Sequence, residues 1–486
     1  MTSKIISNRG YSILKDTIDE KQLKQIKKDL TLTPINIMNM GNIYSNDTKS
    51  FKIYLESPKR IYMPKYYGLS RFGIPDLDKI SSNNKVLDID IQFQGELRDK
   101  QIPVAKAFID SCDLSQSKGG GLICLPCGYG KTILGLYIAS QLKKKTLIVC
   151  HKEFLLNQWK ERIMQFIPEA NIGIVQQKKV MIEDKDIVLA MLQSLSMKDY
   201  PEDTFSSFGF TIFDECHHLG AEVFSRALAK ITTPYMLGLS ATPDRKDGLS
   251  KVFEYYLGNM VYCVKQRDPD KVQVKLINYY SHKEEYITPE INIVTGKINS
   301  PLMITKVCQY KHRTQVMIKE IINCVKENRR VLILSERREH LQYFFNQLNE
   351  LNIECGYYVG GMKQNDLDIS AQKKVVLGTF HLASEGMDVP SLNTVILASP
   401  KSDIEQSIGR IFRQKAEDRT HVPLIIDVVD QNIPSFKRQF TKRNKIYKQN
   451  KYLIEKINIY DDDNQQQKIT QIYENKEIKF DNCMLD

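Results

Sequence analysis

The sequence predicts an α/β chain built from two successive parallel-sheet lobes, with a small α+β unit in front and a short basic tail behind. Three observations carry that expectation. Short apolar runs recur between residues 121 and 239 and again between 331 and 427, separated by helical or loop stretches, as in strands covered on both faces. A glycine-rich loop, Leu125-Pro-Cys-Gly-Tyr-Gly-Lys-Thr132, lies between one such run and a helical stretch. The residue clusters suited to chemistry fall just after the runs, where open α/β sheets place their ligands.

At 486 residues the chain has room for two to four domains. It contains no run of eighteen apolar residues, and Met1 to Arg9 lacks an apolar signal core, which predicts an intracellular, soluble protein with no membrane partner. Ten cysteines, without paired spacing apart from Cys124 and Cys127, predict reduced, buried thiols. The net charge of +11 favours a polyanionic partner. Because the chain is rich in Lys, Ile and Asn, as an AT-rich genome produces by codon bias, the distribution of charge says more than its total.

Residues 1–92 form the first unit. Thr17-Ile-Asp-Glu20 reads as a capping box, and Leu23, Ile26 and Leu30 then share one face of a Lys-rich helix. Between Phe51 and Phe72 aromatic and basic residues interleave (Tyr54, Lys59, Arg60, Tyr62, Lys65, Tyr66, Tyr67, Arg71), a mixture that either stacks on bases or packs a small sheet against the next domain. Residues 93–262 carry strand-like runs at 121–125, 147–150, 187–190, 211–213 and 236–239. A connector rich in Tyr, Lys and Glu is expected at 263–300. The second lobe, 301–432, has runs at 331–334, 375–377, 394–397 and 423–427 and no second glycine loop. The tail, 433–486, reads as a basic helix followed by a weakly structured acidic end.

Strand, glycine turn and helix form a phosphate cradle. Gly128 and Gly130 let successive N–H groups and the positive helix end face an anion, Lys131 supplies a point charge, and Thr132 offers a hydroxyl to Mg²⁺. Leu125 stands where the common phosphate-loop pattern has glycine. Cys124-Leu-Pro-Cys127 also matches a thiol-exchange string, but a redox dithiol opens its own helix, and here the helix opens after Gly-Lys-Thr. Downstream, the run at 211–213 ends in Asp214-Glu-Cys-His-His218. Asp214 can hold Mg²⁺, and Glu215 can orient and deprotonate a water. His217 and His218 have no thiol pair at zinc spacing, which leaves them to sense the nucleotide and contact the other lobe. In the second lobe, Gln406-Ser-Ile-Gly-Arg-Ile-Phe-Arg413 sets Arg410 and Arg413 three residues apart, on one face of a helix, as candidates to neutralise charge developing on a γ-phosphate.

The ordered strings LPCGYGKT, DECHH, LSATPDR (239–245), ASEGMDVP (383–390) and QSIGRIFR resemble motifs I, II, III, V and VI of the superfamily 2 helicases, over residues 93–430. The resemblance implies two RecA-like lobes, ATP and Mg²⁺ as cofactors, and a nucleic-acid partner. It implies a catalytic set of Lys131, Asp214, Glu215, Gln406, Arg410 and Arg413, with Thr132 and Asp214 on the metal. Leu97-Arg98-Asp-Lys-Gln101 looks like the adenine-reading element, so Arg98 and Gln101 join Gly128, Gly130, Lys131 and Thr132 around the nucleotide. Further motifs, from Cys150-His-Lys152 through Trp159, Leu192-Gln-Ser194 and Leu334-Ser-Glu-Arg337, grip the nucleic-acid backbone in the family. They nominate His151, Lys152, Gln193, Ser194 and Arg337, with Thr379 and Ser384, as nucleic-acid contacts. Ser240, Thr242, Arg245, Gly386 and Asp388 would couple the nucleotide state to movement.

The Leu-Pro-Cys opening and D-E-C-H are similar to the XPB-like branch of DNA translocases. That branch has Arg-Glu-Asp after motif III, whereas this chain has Arg245-Lys-Asp247, which puts in doubt a strand-splitting role for the element. The first unit resembles that of helicases from large cytoplasmic DNA viruses of poxvirus, asfarvirus and iridovirus type. The expectation is a monomeric ATP-dependent DNA helicase or translocase on single-stranded or duplex DNA, in a host cytoplasm or virion, acting in transcript release with a transcription complex or in DNA processing. The alternatives are a duplex translocase that remodels a polymerase complex without separating strands, and an RNA helicase.

Overall fold

The computed structural model describes residues 2–33, 50–80, 86–113, 118–126, 128–201, 203–215, 221–241, 249–264, 271–385, 387, 389–412, 414, 419–461 and 468–473. They fall into two compact units, Met1–Lys265 and Gln266–Asp486.

The first unit opens with a five-stranded sheet in the order Leu55–Glu56, Arg60–Met63, Gly10–Leu14, Lys4–Ser7, Leu77–Asp78. Its helix is Glu20–Asp29, with Ile26 and Leu30 buried as the spacing predicts. The cap is not Thr17. That residue sits in a short 3-10 turn and donates its hydroxyl to the Leu14 carbonyl (2.7 Å). Asp19 caps instead, accepting from the Gln22 N–H (2.6 Å) while the Gln22 side chain accepts from the Asp19 N–H (3.2 Å). The correction is two residues, since Asp19 is the last residue still extended before the helical turn.

The aromatic and basic stretch mostly packs. Lys65 is buried and donates its ammonium to the carbonyls of Thr233 (3.1 Å) and Pro234 (2.8 Å) at the foot of a lobe strand. Tyr67 is buried and donates to Asp29 (2.8 Å). Burial pushes the Lys65 ammonium down to about 8. Ile6, Tyr11, Ile61 and Tyr67 share one core with Leu122, Phe213 and Leu257, which makes the N-terminal sheet an integral wall of the first unit.

The first lobe sheet has eight strands, ordered Lys179–Met181, Ile172–Gln176, Ile187–Met191, Thr146–Cys150, Phe210–Phe213, Tyr235–Ser240, Gly119–Cys124 and Met260–Cys263. All pairs are parallel except the Lys179–Met181 edge. Phe210–Phe213 and Tyr235–Ser240 are buried throughout, which is why they read as unbroken apolar runs. The order sets the carboxyl ends of Phe210–Phe213, Tyr235–Ser240 and Gly119–Cys124 side by side.

The second unit holds another eight-stranded sheet, ordered Cys355–Tyr358, Val375–Thr379, Val331–Ser335, Thr394–Leu397, Leu424–Asp430, Gln273–Tyr280, Leu453–Tyr460 and Lys468–Tyr473, antiparallel only at the last pair. Two sequence expectations change here. Part of the expected connector is an interior strand: Gln273–Tyr280 lies between Leu424–Asp430 and Leu453–Tyr460. The supposed tail extends the same sheet, because the helix Pro434–Gln449 is the crossover into Leu453–Tyr460. Asp461 is not a loose acidic end either. Its buried carboxylate accepts from Ser281 Oγ (2.9 Å), Lys283 Nζ (3.1 Å) and the Tyr310 hydroxyl, tying three elements together. Asp462 and Asp463 lie outside the described residues.

Candidate nucleotide site

The glycine loop leaves the Gly119–Cys124 strand and feeds the helix Lys131–Leu142. Gly128 (φ 83°) and Gly130 (φ 89°) both occupy the left-handed region that other residues rarely adopt, and no side chain caps the helix at Gly130. Its first N–H groups therefore have no side-chain cap, the condition in which a helix N-terminus can take an anion. Cys127 lies outside the described residues. Burial, with the Cys263 thiol beside it, pushes the Cys124 thiol up to about 12, which removes the thiolate that the exchange reading requires. The seven described cysteines form no disulfide.

Lys131 Nζ lies 2.9 Å from Glu215 Oε1. Glu215 is the residue after Asp214, at the end of the Phe210–Phe213 strand, and its φ of 49° is left-handed. A non-glycine residue there costs on the order of 1–3 kcal/mol, a strain typical of functional positions. Asp214 is buried and accepts from Trp159 Nε1 (2.8 Å). Burial, and then the Glu215 charge, push its carboxyl up to about 6, against the pull of Lys131 and the indole donor. Thr132, half-buried, is the second residue of the same helix.

Trp159 was expected on the nucleic-acid side and is instead a core residue. Leu155, Leu156, Trp159 and Ile163 form the buried face of the helix Glu153–Phe166. The indole packs so closely on the helix Lys131–Leu142 that a Cβ at Gly135 would meet it at 2.9 Å. The signal was present in the sequence: the chain's one tryptophan stands at core spacing within an amphipathic stretch. Trp159→Phe keeps the ring but deletes the donor to a buried carboxylate. The expected result is a loss of ~1–3 kcal/mol in thermal unfolding. A variant that melts like the parent removes the positioning role.

Gln101 is corrected too. It is 1% exposed, and its Nε2 donates to the carbonyls of Tyr129 (3.0 Å) and Gly130 (3.3 Å) while its Oε1 accepts from the Arg98 N–H (2.9 Å). The amide nitrogen braces the glycine loop and the amide oxygen holds the Arg98 backbone, so both ends are engaged instead of facing a base. The Tyr129 hydroxyl donates to the Lys100 carbonyl (3.0 Å), so residues 98–101 and 129–130 are stapled from both sides. Arg98 is exposed.

The remaining first-unit candidates divide. Lys152 is half-buried at the start of the helix Glu153–Phe166, with its ammonium pushed down by burial. Gln193 is exposed and donates to the His151 carbonyl (2.7 Å), joining two motif loops. His151 and Ser194 are buried, and Ser194 Oγ accepts from the Gln177 N–H (2.8 Å), so neither side chain is presented to a nucleic-acid backbone. Adjacent helical positions diverge by about 100°, which sends Ser194 inward when Gln193 points out. Ser240 is buried, and its carbonyl accepts from Leu125 N–H (2.9 Å), linking its strand to the glycine loop. Thr242, Arg245, His217 and His218 lie outside the described residues.

Comparison with known proteins decides the family. Residues 94–245 match the family described as type III restriction enzyme, res subunit, and residues 313–415 match the helicase conserved C-terminal domain. The chain is 36% identical over 458 residues to a putative ATP-dependent RNA helicase of Acanthamoeba polyphaga mimivirus, covering 93% of this chain and 87% of the relative. This chain is a superfamily 2 helicase. It is also 28% identical to a putative helicase of invertebrate iridescent virus 6, over 76% of this chain and 84% of the relative. Over 40% of each chain it is 34% identical to a DNA 3′–5′ translocase, XPB2, of Sulfurisphaera tokodaii. Among the helicase's described residues no helix is long and apolar enough to cross a membrane.

In the second unit the helicase uses several expected contacts internally. Arg337 donates through Nε to Thr305 Oγ1 (2.8 Å) and through Nη2 to the Pro301 carbonyl (2.7 Å), bracing the helix Ser300–Gln309 rather than facing a partner. Arg410 is buried and donates to the carbonyls of Ala383 and Met387 (3.0 Å for the latter), so it clamps the motif V segment instead of standing out as a finger. The expected single helical face does not form: an α-helix covers only Glu405–Ile408, and Gly409–Phe412 is 3-10. Gln406 is half-buried, and Thr379 ends its strand half-buried. Ser384 lies within the helix Phe380–Glu385, but its side chain is outside the described set, as are Gly386, Asp388 and Arg413.

Proposed function

We propose that this helicase is an Mg²⁺-dependent ATPase that moves on DNA. The observation that supports it most is the set at three adjacent strand ends: Lys131 paired with Glu215, beside an Asp214 held by Trp159. Lys131 is held by a carboxylate that an incoming phosphate must replace, and the exchange frees Glu215 to orient and deprotonate a water. Asp214 and Thr132 are hard oxygen donors suited to Mg²⁺, and the described residues contain no cluster of three metal-ligating side chains. That sparse set matches the way Mg²⁺ is held, by one or two side chains with phosphates and water, and the ion would neutralise charge on the phosphates. With Arg410 turned inward, a finger role falls to Arg413.

DNA rather than RNA is supported by the similarity to the archaeal DNA translocase, together with the Leu-Pro-Cys opening and D-E-C-H string of the nucleotide site. Melting one base-pair step costs ~1.4 kcal/mol on average, small enough for a hydrolysis cycle to drive. We extend the proposal to work on a transcription complex or in DNA processing, by a monomer in a host cytoplasm or virion, on the resemblance of the first unit to helicases of large cytoplasmic DNA viruses; the viral relatives are named as a putative RNA helicase and a putative helicase. The test compares ATPase stimulation by single-stranded DNA, duplex DNA and RNA. DNA is expected to stimulate at least tenfold more than RNA; equal or greater stimulation by RNA rejects the DNA reading. Strand displacement set beside triplex displacement then separates unwinding from duplex translocation.

A further inference from the structure

The helix Pro434–Gln449 is sixteen residues long and contains no acid. Its inner face is anchored: Phe436 and Tyr447 are buried, and Arg443 and the Tyr447 hydroxyl both donate to the buried Asp427 (2.8–2.9 Å). These contacts fix the helix's rotation. Lys437, Arg438, Lys442, Lys445 and Lys448 are then all exposed, within a wedge of roughly 140° at 3.6 residues per turn. None of the five takes part in an ion pair among the described residues. By contrast, Glu20–Asp29 carries acids at both ends, and Lys311–Lys326 pairs Glu320 with Lys275 (2.6 Å).

Five cations therefore stand on one surface about 16 Å long. Codon bias supplies lysine, but it does not exclude acids from a helix or align the cations on its outer face. Tyr447, Phe440 and Ile446 share a core with Phe380, Ala383 and Met387, so the helix covers the same side of the sheet as the motif V segment. A repeating anion of close spacing complements such a face, and duplex DNA carries one charge per about 1.7 Å of axis.

We propose that the outer face of Pro434–Gln449 is a phosphate-backbone contact, additional to the motif loops, that holds a nucleic-acid strand on the second unit. The inference rests on the nucleic-acid reading of the helicase, but its readout is binding. Failure of the motor reading would appear as an ATPase that nucleic acid does not stimulate, and the binding data would still decide the role of the helix.

The test uses the full chain with Lys437, Arg438, Lys442, Lys445 and Lys448 all changed to Gln. A charge-matched control carries Gln at the exposed lysines 21, 28, 311, 319 and 326. Affinity for a labelled single strand and a labelled duplex is measured by anisotropy from 50 to 200 mM salt. Each lost phosphate contact lowers the slope of log affinity against log salt by about 0.9 for duplex and about 0.7 for a single strand. The helix variant is expected to lose about 2 to 4 in slope and at least tenfold in affinity at 100 mM salt, while the control loses less than 1 in slope. A second variant, with the four lysines changed to Arg, keeps the charge and is expected to bind like the parent. Equal losses in the helix variant and the control, parent-like binding by the helix variant, or failure of the Arg variant overturns the proposal. So does a helix variant that binds nucleic acid normally but loses retention on polyglutamate, because the face would then serve an acidic protein.

Discussion

Glu215→Gln is expected to reduce nucleic-acid-stimulated ATP hydrolysis by at least a thousandfold while tightening ATP binding several-fold. The two effects have one cause. In the proposed mechanism Glu215 supplies the carboxylate that orients and deprotonates water, and in the structure the same carboxylate holds Lys131 at 2.9 Å. Neutralising it removes the base and also releases the lysine to phosphate. Lys131→Ala deletes the phosphate-binding charge instead, so it should abolish hydrolysis with a loss of ATP affinity. DNA affinity should stay near that of the parent in both. Single-turnover hydrolysis and equilibrium nucleotide binding separate the outcomes: stimulated hydrolysis retained by either variant, or weakened ATP binding in Glu215→Gln, contradicts the roles assigned.

Arg313→Met should cost ~3–5 kcal/mol, the penalty for leaving a buried charge without its partner. Arg313 and Asp430 are both essentially inaccessible. The guanidinium donates to Asp430 Oδ1 (2.6 Å) and Oδ2 (3.2 Å) and to the Ala398 carbonyl (2.6 Å), and Tyr286 donates to the same carboxylate (2.5 Å). The group links the helix Lys311–Lys326 to the ends of two strands of the second sheet. For a unit of this size the loss corresponds to a fall of roughly 10 °C in melting temperature. Removing both charges with Arg313→Met and Asp430→Leu should recover most of it, since the penalty comes from the orphaned charge. A single variant that melts within 2 °C of the parent would show that the pair contributes little.

The interior strands of both sheets were legible in the sequence because they are covered on both faces and so appear as unbroken apolar runs. Thr146–Cys150 and Val331–Ser335 are buried at every position. Gln273–Tyr280 and Leu453–Tyr460 escaped for the opposite reason. Lysines, asparagines and a glutamate interrupt their apolar residues, and the pairing that makes them strands comes from partners up to 180 residues away. Asp461 was misread in the same way, since its partners Ser281, Lys283 and Tyr310 are remote in the chain.

For the site, the sequence by itself nominated the chemistry: which side chains can offer a phosphate-binding charge, a metal-holding carboxylate and a base, and it determined that Gly128 and Gly130 permit positive φ. Residue type and local spacing suffice for that, because backbone conformation and functional-group identity are short-range properties. Only the tertiary structure decided which candidates point into the site. Trp159, at the end of a motif stretch, turned into the core to hold Asp214, Gln101 turned from a base to the loop backbone, and Arg410 turned onto Ala383 and Met387. In each case the deciding partner lies 23 to 55 residues away, so burial and long-range hydrogen bonding, which no local pattern encodes, set the direction of the side chain.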